Sequence, residues 1–264
     1  MRRFIFTMLL LGLTLPNLRT GPARADQPFI VAAASSLHHA LEELADAFSA
    51  SGHTRPRLVF GSSGNISEQI ARDAPFELFL AADELHVLTL FEQDVVDGPG
   101  KIYAFGRLAL FAAMGSPVEV DANLDGLAGA LESGALNKLA IANPEIAPYG
   151  AAAMQALSER GILEKAERAL VFGENVAQAS QFAISGAADA GLIALSIAMS
   201  LGMEARGTWV AVDPSLSPPL HQRMVLTRKA GDEARDFFAF ILGDEARAIL
   251  EHHGFGLPDP SGSD

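Results

Sequence analysis

The 264-residue sequence lacks cysteine and is poor in aromatic and basic residues. Without cysteine it can form no disulfide, no thiolate metal site, no cysteine nucleophile and no lipid anchor on an N-terminal cysteine. Lysine and arginine total 19 against 32 acidic residues, so the formal net charge is −13. Nucleic acids and anionic lipids bind proteins through basic residues that neutralise their phosphates, and we therefore predict neither as a partner.

The N-terminal segment has the pattern of a secretory signal peptide. Arg2 and Arg3 precede a twelve-residue apolar run, residues 4–15, and Ala-Arg-Ala follows at residues 23–25. The run is too short for a permanent transmembrane helix, which needs about 20 residues, but it is typical of an export signal. We predict cleavage after Ala25, with no membrane insertion of the mature chain. Cleavage removes four arginines and no acidic residue, which lowers the net charge to −17.

The rest of the chain alternates between short apolar runs and amphipathic helical patterns. This alternation indicates an α/β fold with parallel-rich sheets flanked by helices. One helix is predicted over Leu37–Ser49, where apolar residues recur at helical spacing. The predicted strands are residues 29–33, 57–60, 78–81, 108–112, 138–141, 190–194, 208–212 and 224–227.

Two turn-rich breaks divide this pattern, at residues 97–100 and 213–219. The 239 residues that remain after cleavage suit two domains. One strand and two helices, at residues 232–242 and 244–252, follow the second break and are too few to form a domain of their own. We therefore predict that they return to the first lobe and that the chain crosses between the lobes twice. The predicted boundaries are residues 26–105 plus 227–264 for lobe 1 and residues 106–226 for lobe 2.

Four of the predicted strand-to-helix junctions carry hydroxyl groups or bare backbone. At any single junction, helix capping explains Ser and Asn, and tight turns explain Gly. Two junctions lie in each lobe, however, and ligands of open α/β sheets bind outside the carboxyl ends of the strands. The four together therefore predict one shared site. They are Ala33-Ala34-Ser35-Ser36, Gly61-Ser62-Ser63-Gly64-Asn65, residues 143–150 and Gly173-Glu174-Asn175-Val176.

Helix N-termini can bind an anion in a protein whose overall charge repels it. Each N-terminus carries roughly +0.5 charge and several N–H groups without acceptors. Four of them would supply about +2, which matches a dianion without any lysine or arginine in the site.

Several motifs along the chain occur in the order of a known family. They are Ala32-Ala33-Ala34-Ser35-Ser36-Leu37, Phe60-Gly61-Ser62-Ser63-Gly64 with Gln69-Ile70, residues 74–83, Asn143-Pro144-Glu145 with Pro148-Tyr149-Gly150, Glu174-Asn175-Val176 and His253-Gly254-Phe255. Together they resemble the periplasmic molybdate-binding proteins of ABC importers, over nearly the whole chain after residue 25. The resemblance implies a two-lobed periplasmic binding-protein fold that closes over one oxyanion.

The resemblance also implies a ligand and the residues that bind it. Molybdate, with tungstate, would accept hydrogen bonds from neutral groups only, so molybdenum would be held through its oxygens and have no direct metal ligand. The groups are the hydroxyl and N–H of Ser36 and Ser63 and the N–H of Tyr149 and Val176, with Ser35 as the alternative to Ser36. Further implications are a membrane permease of an ABC importer as partner, a periplasmic location, a monomer, and neither catalysis nor a cofactor.

The sequence departs from the family pattern at Ala194. Some members supply a tyrosine hydroxyl at the end of this strand, whereas the alanine after Gly191-Leu192-Ile193 has no donor. In members without that tyrosine, one occurs at the position of Tyr149. The resemblance therefore implies that the hydroxyl is moved and leaves the full ligand set open.

An enzyme fits the sequence less well. A hydrolase elbow, Gly-x-Ser-x-Gly, would need glycine where Asn65 stands. His38 and His39 are adjacent, as are His252 and His253, so each pair points to different faces of its helix. No His-x-x-x-His pair or nucleotide-binding glycine motif occurs in the sequence.

Other ligands are the second alternative. A binding protein for sulfate, phosphate or an organic anion would share the fold, although a phosphate site usually holds an aspartate for the ligand's proton. Glu145 and Glu174 are the acidic residues at the four junctions. A ligand-sensing module of a regulator would need a DNA-binding helix pair, which the sequence lacks.

Overall fold

The structure is a computed structural model that describes residues 28–200 and 202–259. The predicted signal peptide, residues 1–25, lies outside the described residues. Within those ranges, no helix combines the length and apolar character needed to span a bilayer. The strands are β1 Ile30–Ala34, β2 Arg57–Gly61, β3 Leu78–Leu80, β4 Lys101–Gly106, β5 Leu108–Ala113, β6 Leu139–Ala142, β7 Leu170–Gly173, β8 Ala190–Ala194, β9 Gly207–Ala211 and β10 Leu220–Leu226.

Helices cover the faces of the sheets, and two 3₁₀ turns, Ser35–Leu37 and Met203–Ala205, supplement them. The α-helices are α1 His38–Ala50, α2 Ser63–Ala71, α3 Leu85–Glu92, α4 Asp125–Glu132, α5 Pro148–Glu159, α6 Leu163–Ala166, α7 Val176–Ile184, α8 Leu195–Ala198, α9 Asp232–Ile241 and α10 Asp244–His252. The predicted helices over residues 37–49, 232–242 and 244–252 are confirmed to within two residues at each end.

The strands form two mixed sheets of the same design. The first sheet has the order β2-β1-β3-β10-β4 and the second has the order β7-β6-β8-β5-β9. In each sheet a parallel trio, β2-β1-β3 or β7-β6-β8, is extended by antiparallel strands. The chain passes from the first sheet to the second after β4 and returns after β9. This arrangement confirms the predicted two-lobed α/β fold with two crossings.

The structure differs from the prediction at β4, β7 and β10. Neither β4 nor β7 was predicted, and β10 begins at Leu220 in the first sheet, although the predicted second lobe extends to residue 226. The second crossing therefore lies before β10. His221, Gln222 and Arg223 interrupt the apolar pattern of this strand, yet Gln222 and Arg223 are buried. Arg223 can be buried because its Nη2 donates to Glu84 Oε1 at 2.7 Å.

Alternating side chains of the central strands reach helices on both faces of each sheet. Leu78 and Leu80 of β3 pack with one hydrophobic cluster and Phe79 with another. In the second sheet, Leu110 and Phe111 of β5 likewise belong to different clusters. Both sheets are thus buried on both faces, which explains why their strands appear as continuous apolar runs in the sequence.

Candidate functional site

All four predicted junctions meet at one small cavity between the lobes. Its volume is about 10 Å³, close to that of one water-sized sphere. The lining residues are Ala34, Ser35, Ser36, Gly61, Ser62, Ser63, Ala82, Ala147, Pro148, Tyr149, Asn175 and Val176. The five predicted binding residues Ser35, Ser36, Ser63, Tyr149 and Val176 are all in this set. No lysine, arginine, aspartate or glutamate belongs to the lining, so its polarity comes from hydroxyls, one amide and helix ends.

The first junction places two serines in the 3₁₀ turn that follows β1. Both are buried, Ser35 with 4% and Ser36 with 2% of its surface exposed. Ser35 Oγ accepts a hydrogen bond from the N–H of Ala177 in the other lobe, at 3.3 Å. Ser36 Oγ has no hydrogen-bond partner among the residues of the described chain. A buried hydroxyl without a hydrogen-bond partner costs free energy. Of these two serines, Ser36 is the one whose hydroxyl lacks a partner.

The second junction ends β2 and begins α2. Ser62 is a helix cap, since its Oγ accepts from the N–H of Asn65 at 3.3 Å. Capping does not explain Ser63, whose Oγ accepts from the N–H of Ala82 at the end of β3, at 3.0 Å. The lobes touch at the next residue, where the N–H of Gly64 donates to the carbonyl oxygen of Ile146 at 2.9 Å.

In the second lobe the lining comes from the first residues of α5 and α7. Pro148 occupies the start of α5, where its missing N–H is no loss, and no side chain caps this helix. At the start of α7, Asn175 Oδ1 accepts from the N–H of Gln178 at 3.1 Å, and Ser35 Oγ accepts from the N–H of Ala177. The N–H of Val176 begins the helix, where an intrahelical acceptor is not available. Both helices therefore present their positive ends to the cavity.

The hydroxyl of Tyr149 is buried beside Ser36. Gln222 of β10 donates to it from Nε2, at 3.3 Å. Burial raises the pKa of Tyr149, and the neighbouring Ser36 hydroxyl and Gln222 amide lower this pKa by less. Ser36 Oγ is close enough to influence this pKa, yet it lies outside hydrogen-bond geometry. The phenol therefore stays protonated at neutral pH and can act as a donor.

Charged groups lie around the cavity but outside its lining. The Arg107 guanidinium lowers the pKa of Tyr149 slightly, and its Nη2 donates to the carbonyl oxygen of Gly254 at 3.2 Å. Glu174 Oε1 accepts from Asn65 Nδ2 at 2.9 Å, which links the exposed rims of the two lobes. In the part of the chain that the structure describes, no three His, Asp or Glu side chains are placed to hold a metal ion.

Sequence reasoning missed two contributors to this site, Ala82 and Gln222. The N–H of Ala82 holds the Ser63 hydroxyl, and Gln222 supports that of Tyr149. Neither contact leaves a local signal, because each partner is remote in sequence. Ala194 is buried in the same cluster as Tyr149 and does not line the cavity.

Two lobes that enclose a cavity lined by helix N-termini define a solute-binding protein. The family profile of bacterial extracellular solute-binding proteins matches residues 29–256, and the chain belongs to this family.

Similar proteins include two bacterial molybdate-binding proteins. The one from Azotobacter vinelandii is 34% identical over 230 residues, covering 86% of this chain and 89% of its own. The one from Rhodobacter capsulatus is 34% identical over 251 residues, covering 94% and 92%. The solved structure of the Azotobacter vinelandii periplasmic molybdate-binding protein matches with a TM-score of 0.80 at 30% identity, covering 88% of this chain and 100% of that one.

Proposed function

We propose that the protein captures molybdate, and also tungstate, outside the cytoplasm and delivers it to the membrane permease of an ABC importer. The observation that carries this proposal is the orientation of the hydroxyls in the cavity. N–H groups donate to the oxygens of Ser35, Ser62, Ser63 and Tyr149, so the hydroxyl protons remain free to point elsewhere. A lining of donors without a carboxylate favours a fully deprotonated oxyanion. The names of the two similar proteins support molybdate as that oxyanion.

The proposed contacts come from both lobes. Ser36 and Ser63 each donate a hydroxyl and an N–H, and Tyr149 and Val176 each donate an N–H, with Ser35 adjacent. Six charge-assisted hydrogen bonds of about 1.5–3 kcal/mol each give roughly 9–18 kcal/mol before the costs of association and ordering. That range is compatible with a Kd between micromolar and nanomolar, about −8 to −12 kcal/mol.

The cavity is smaller than the proposed guest, since about 10 Å³ holds one water and a tetrahedral oxyanion has four oxygens around a central atom. Binding therefore requires the cavity to expand, and the lobe contacts at Gly64 and Ser35 are the ones that would change. The spacing of the donors in the expanded cavity would then select the ligand, because a spacing that matches the larger ions molybdate and tungstate leaves some donors out of reach of the smaller sulfate.

Calorimetry with molybdate, tungstate, sulfate and phosphate tests the proposal. We expect tight binding of the first two anions and little heat with the others. In thermal unfolding, molybdate at about 1,000 times its Kd should add about 4 kcal/mol of stability. A sulfate response equal to the molybdate response would remove the ligand assignment and leave an oxyanion-binding protein.

A matched serine control distinguishes the loss of a hydroxyl in the cavity from the loss of any buried hydroxyl. Ser217 also has a buried Oγ without a hydrogen-bond partner in the described chain, but it lies in the second crossing, outside the cavity lining. Ser217→Ala should leave the molybdate Kd unchanged, whereas Ser36→Ala should weaken binding.

We further propose that the protein acts without catalysis, as a monomer in the periplasm after cleavage at Ala25, and that the two sheets with their helices are the two lobes. Mass spectrometry of the exported protein and light scattering would measure its N-terminus and its oligomeric state.

A further inference from the structure

A chain of three buried polar side chains connects the core of the first lobe to the cavity. Tyr103 of β4 and Gln222 of β10 are neighbours in the first sheet, and Tyr149 belongs to the second lobe. Tyr103 Oη has two acceptors in reach, Gln222 Oε1 at 2.8 Å and the carbonyl oxygen of Ala81 at 3.2 Å, and its proton takes the shorter contact. Gln222 Nε2 in turn donates to Tyr149 Oη at 3.3 Å. Gln222 has none of its surface exposed, and both tyrosines have 2% exposed. Water therefore cannot replace either contact.

With the Tyr103 proton in its shorter contact, to Gln222, the order of donors determines which way each proton points. The amide of Gln222 presents its oxygen to Tyr103, so its NH₂ group faces Tyr149. Because Tyr149 Oη accepts from that NH₂ group, its own proton has to point away from Gln222. The Ser36 hydroxyl, which has no partner in the described structure, neighbours Tyr149 and lines the same cavity.

The backbone beside this contact permits no extra atom. A Cβ placed on Gly106 would overlap with both Gln222 Nε2 and Tyr149 Oη. Gly106 ends β4, where the chain first crosses between the lobes. The Gln222 amide and the Tyr149 hydroxyl therefore pack directly against the backbone of the first crossing between the lobes.

We propose that Gln222 is a positioning residue that fixes the Tyr149 hydroxyl as a donor to the bound oxyanion. This inference rests on the proposed function and on the Tyr149 hydroxyl contact that the family resemblance implies, and what it adds is the role of Gln222 in orienting that hydroxyl. It also accounts for an oxyanion site in which Ala194 provides no donor. The role of Tyr103 is to fix the orientation of the Gln222 amide.

A double-mutant cycle on molybdate affinity tests the coupling. Tyr149→Phe should weaken binding about tenfold or more, the loss of one hydrogen bond to a charged group. Gln222→Met removes the amide at similar volume and should weaken binding about fivefold in the wild-type background. In the Tyr149→Phe background the same change should have no further effect on the Kd, because the hydroxyl that it positions is gone.

Gln222→Glu gives a second readout that a purely structural role would not produce. An ionised carboxylate accepts the Tyr149 proton and repels the dianion, so affinity should fall well below that of Gln222→Met at about pH 8. A protonated carboxyl group can still accept from Tyr103 and donate to Tyr149. The affinity relative to wild type should therefore recover towards about pH 5.5, in the range where burial raises a glutamate pKa.

Thr227→Val is the matched control for lost stability. Thr227 follows β10 and its buried hydroxyl donates to the carbonyl oxygen of Phe76 at 2.6 Å, away from the cavity. This variant should melt at a lower temperature and keep the wild-type Kd.

Equal losses from Gln222→Met in both backgrounds, or a Gln222→Glu affinity that does not depend on pH, would overturn the inference while wild-type binding still supports the proposed function. Wild-type protein that fails to bind molybdate would overturn both.

Discussion

The two walls of the cavity are built from the same elements but present different chemistry. The first-lobe wall offers serine side chains, Ser35 and Ser36 in a 3₁₀ turn and Ser62 and Ser63 at the start of α2. The second-lobe wall offers mainly the backbone at the starts of α5 and α7. Its two polar side chains both accept a hydrogen bond within the protein, Asn175 from the N–H of Gln178 and Tyr149 from Gln222, which leaves the Tyr149 proton free to donate.

This difference determines which substitutions can test each wall. Hydroxyl donors are removed by Ser→Ala, whereas a backbone donor survives every substitution except proline. Ser→Ala substitutions would therefore test the first-lobe wall and would leave the backbone donors of the second-lobe wall untested.

The largest effect is expected from Val176→Pro. Proline removes the N–H at the first position of α7, where it is compatible with the helix. The preceding residue Asn175 already has the extended conformation, φ −143° and ψ 175°, that proline requires before it. We expect molybdate affinity to fall by about 2–3 kcal/mol, the contribution of a hydrogen bond to a charged group. Val176→Ala keeps the N–H and should bind as wild type, so equal calorimetric losses in both variants would show that the backbone donor is not used.

Ser36→Ala and Ser63→Ala should separate affinity from stability. Each should weaken binding by about 1–3 kcal/mol. Ser36→Ala breaks no hydrogen bond of the free protein, so its unfolding free energy should not fall. Ser63→Ala leaves the N–H of Ala82 without its acceptor and should destabilise the free protein by about 1–3 kcal/mol. Calorimetry and urea unfolding measure the two quantities, and a Ser63→Ala protein of wild-type stability would contradict the Ala82 contact.

A smaller effect is expected where the walls meet at Gly64. A Cβ at this position would lie 2.9 Å from Ile146 O and 3.2 Å from His86 Nε2. Gly64→Ala should therefore strain the ligand-free contact by about 1 kcal/mol, and it should strengthen binding by up to that amount because the cavity expands on binding and relieves the strain. Alanine also favours the helix over glycine by about 1 kcal/mol, so the free protein should melt no lower than wild type. An unchanged Kd would mean that the contact between these two segments does not change when the ion binds.

The smallest effect is expected from pH. Burial raises the pKa of Tyr149 above its ordinary value of about 10, so the hydroxyl remains a donor until well above that pH. No carboxylate or histidine lines the cavity. Molybdate affinity should be constant between about pH 6 and pH 9 in calorimetry, since the ordinary pKa values of Asp, Glu and Tyr all lie outside this interval. A change of tenfold in this interval would indicate a titrating group in the first or second wall.

The sequence predicts the parts of this molecule that depend on local pattern. The apolar stripe of α1, from Leu37 to Phe48, is buried as expected, and the four junctions lie where strands end and helices begin. The burial of polar strand residues, in contrast, could not be predicted from local pattern. Gln222 and Arg223 interrupt the pattern of β10, and only their remote partners, Tyr103, Tyr149 and Glu84, make their burial favourable.

The site shows the same limit. Residue type indicated the junctions, and the resemblance to a known family indicated Ser36 and Ser63 within them, but nothing local indicates that Ser62 caps a helix while Ser63 does not. The direction of each hydroxyl proton depends on the N–H group that faces its oxygen. Those groups, on Ala82, Ala177 and Gln222, come from distant segments.

The position of β10 bears on the order in which the molecule folds during synthesis. All strands of the second sheet lie in one uninterrupted stretch, residues 108–211, and this sheet can assemble as soon as that stretch is complete. The first sheet cannot be completed at that stage, because β10 lies between β3 and β4 in the sheet and is synthesised later. Until then β3 and β4 have exposed edges that could pair with another chain. A nascent chain stalled before residue 220 should therefore have a protease-resistant second lobe and a protease-sensitive first lobe.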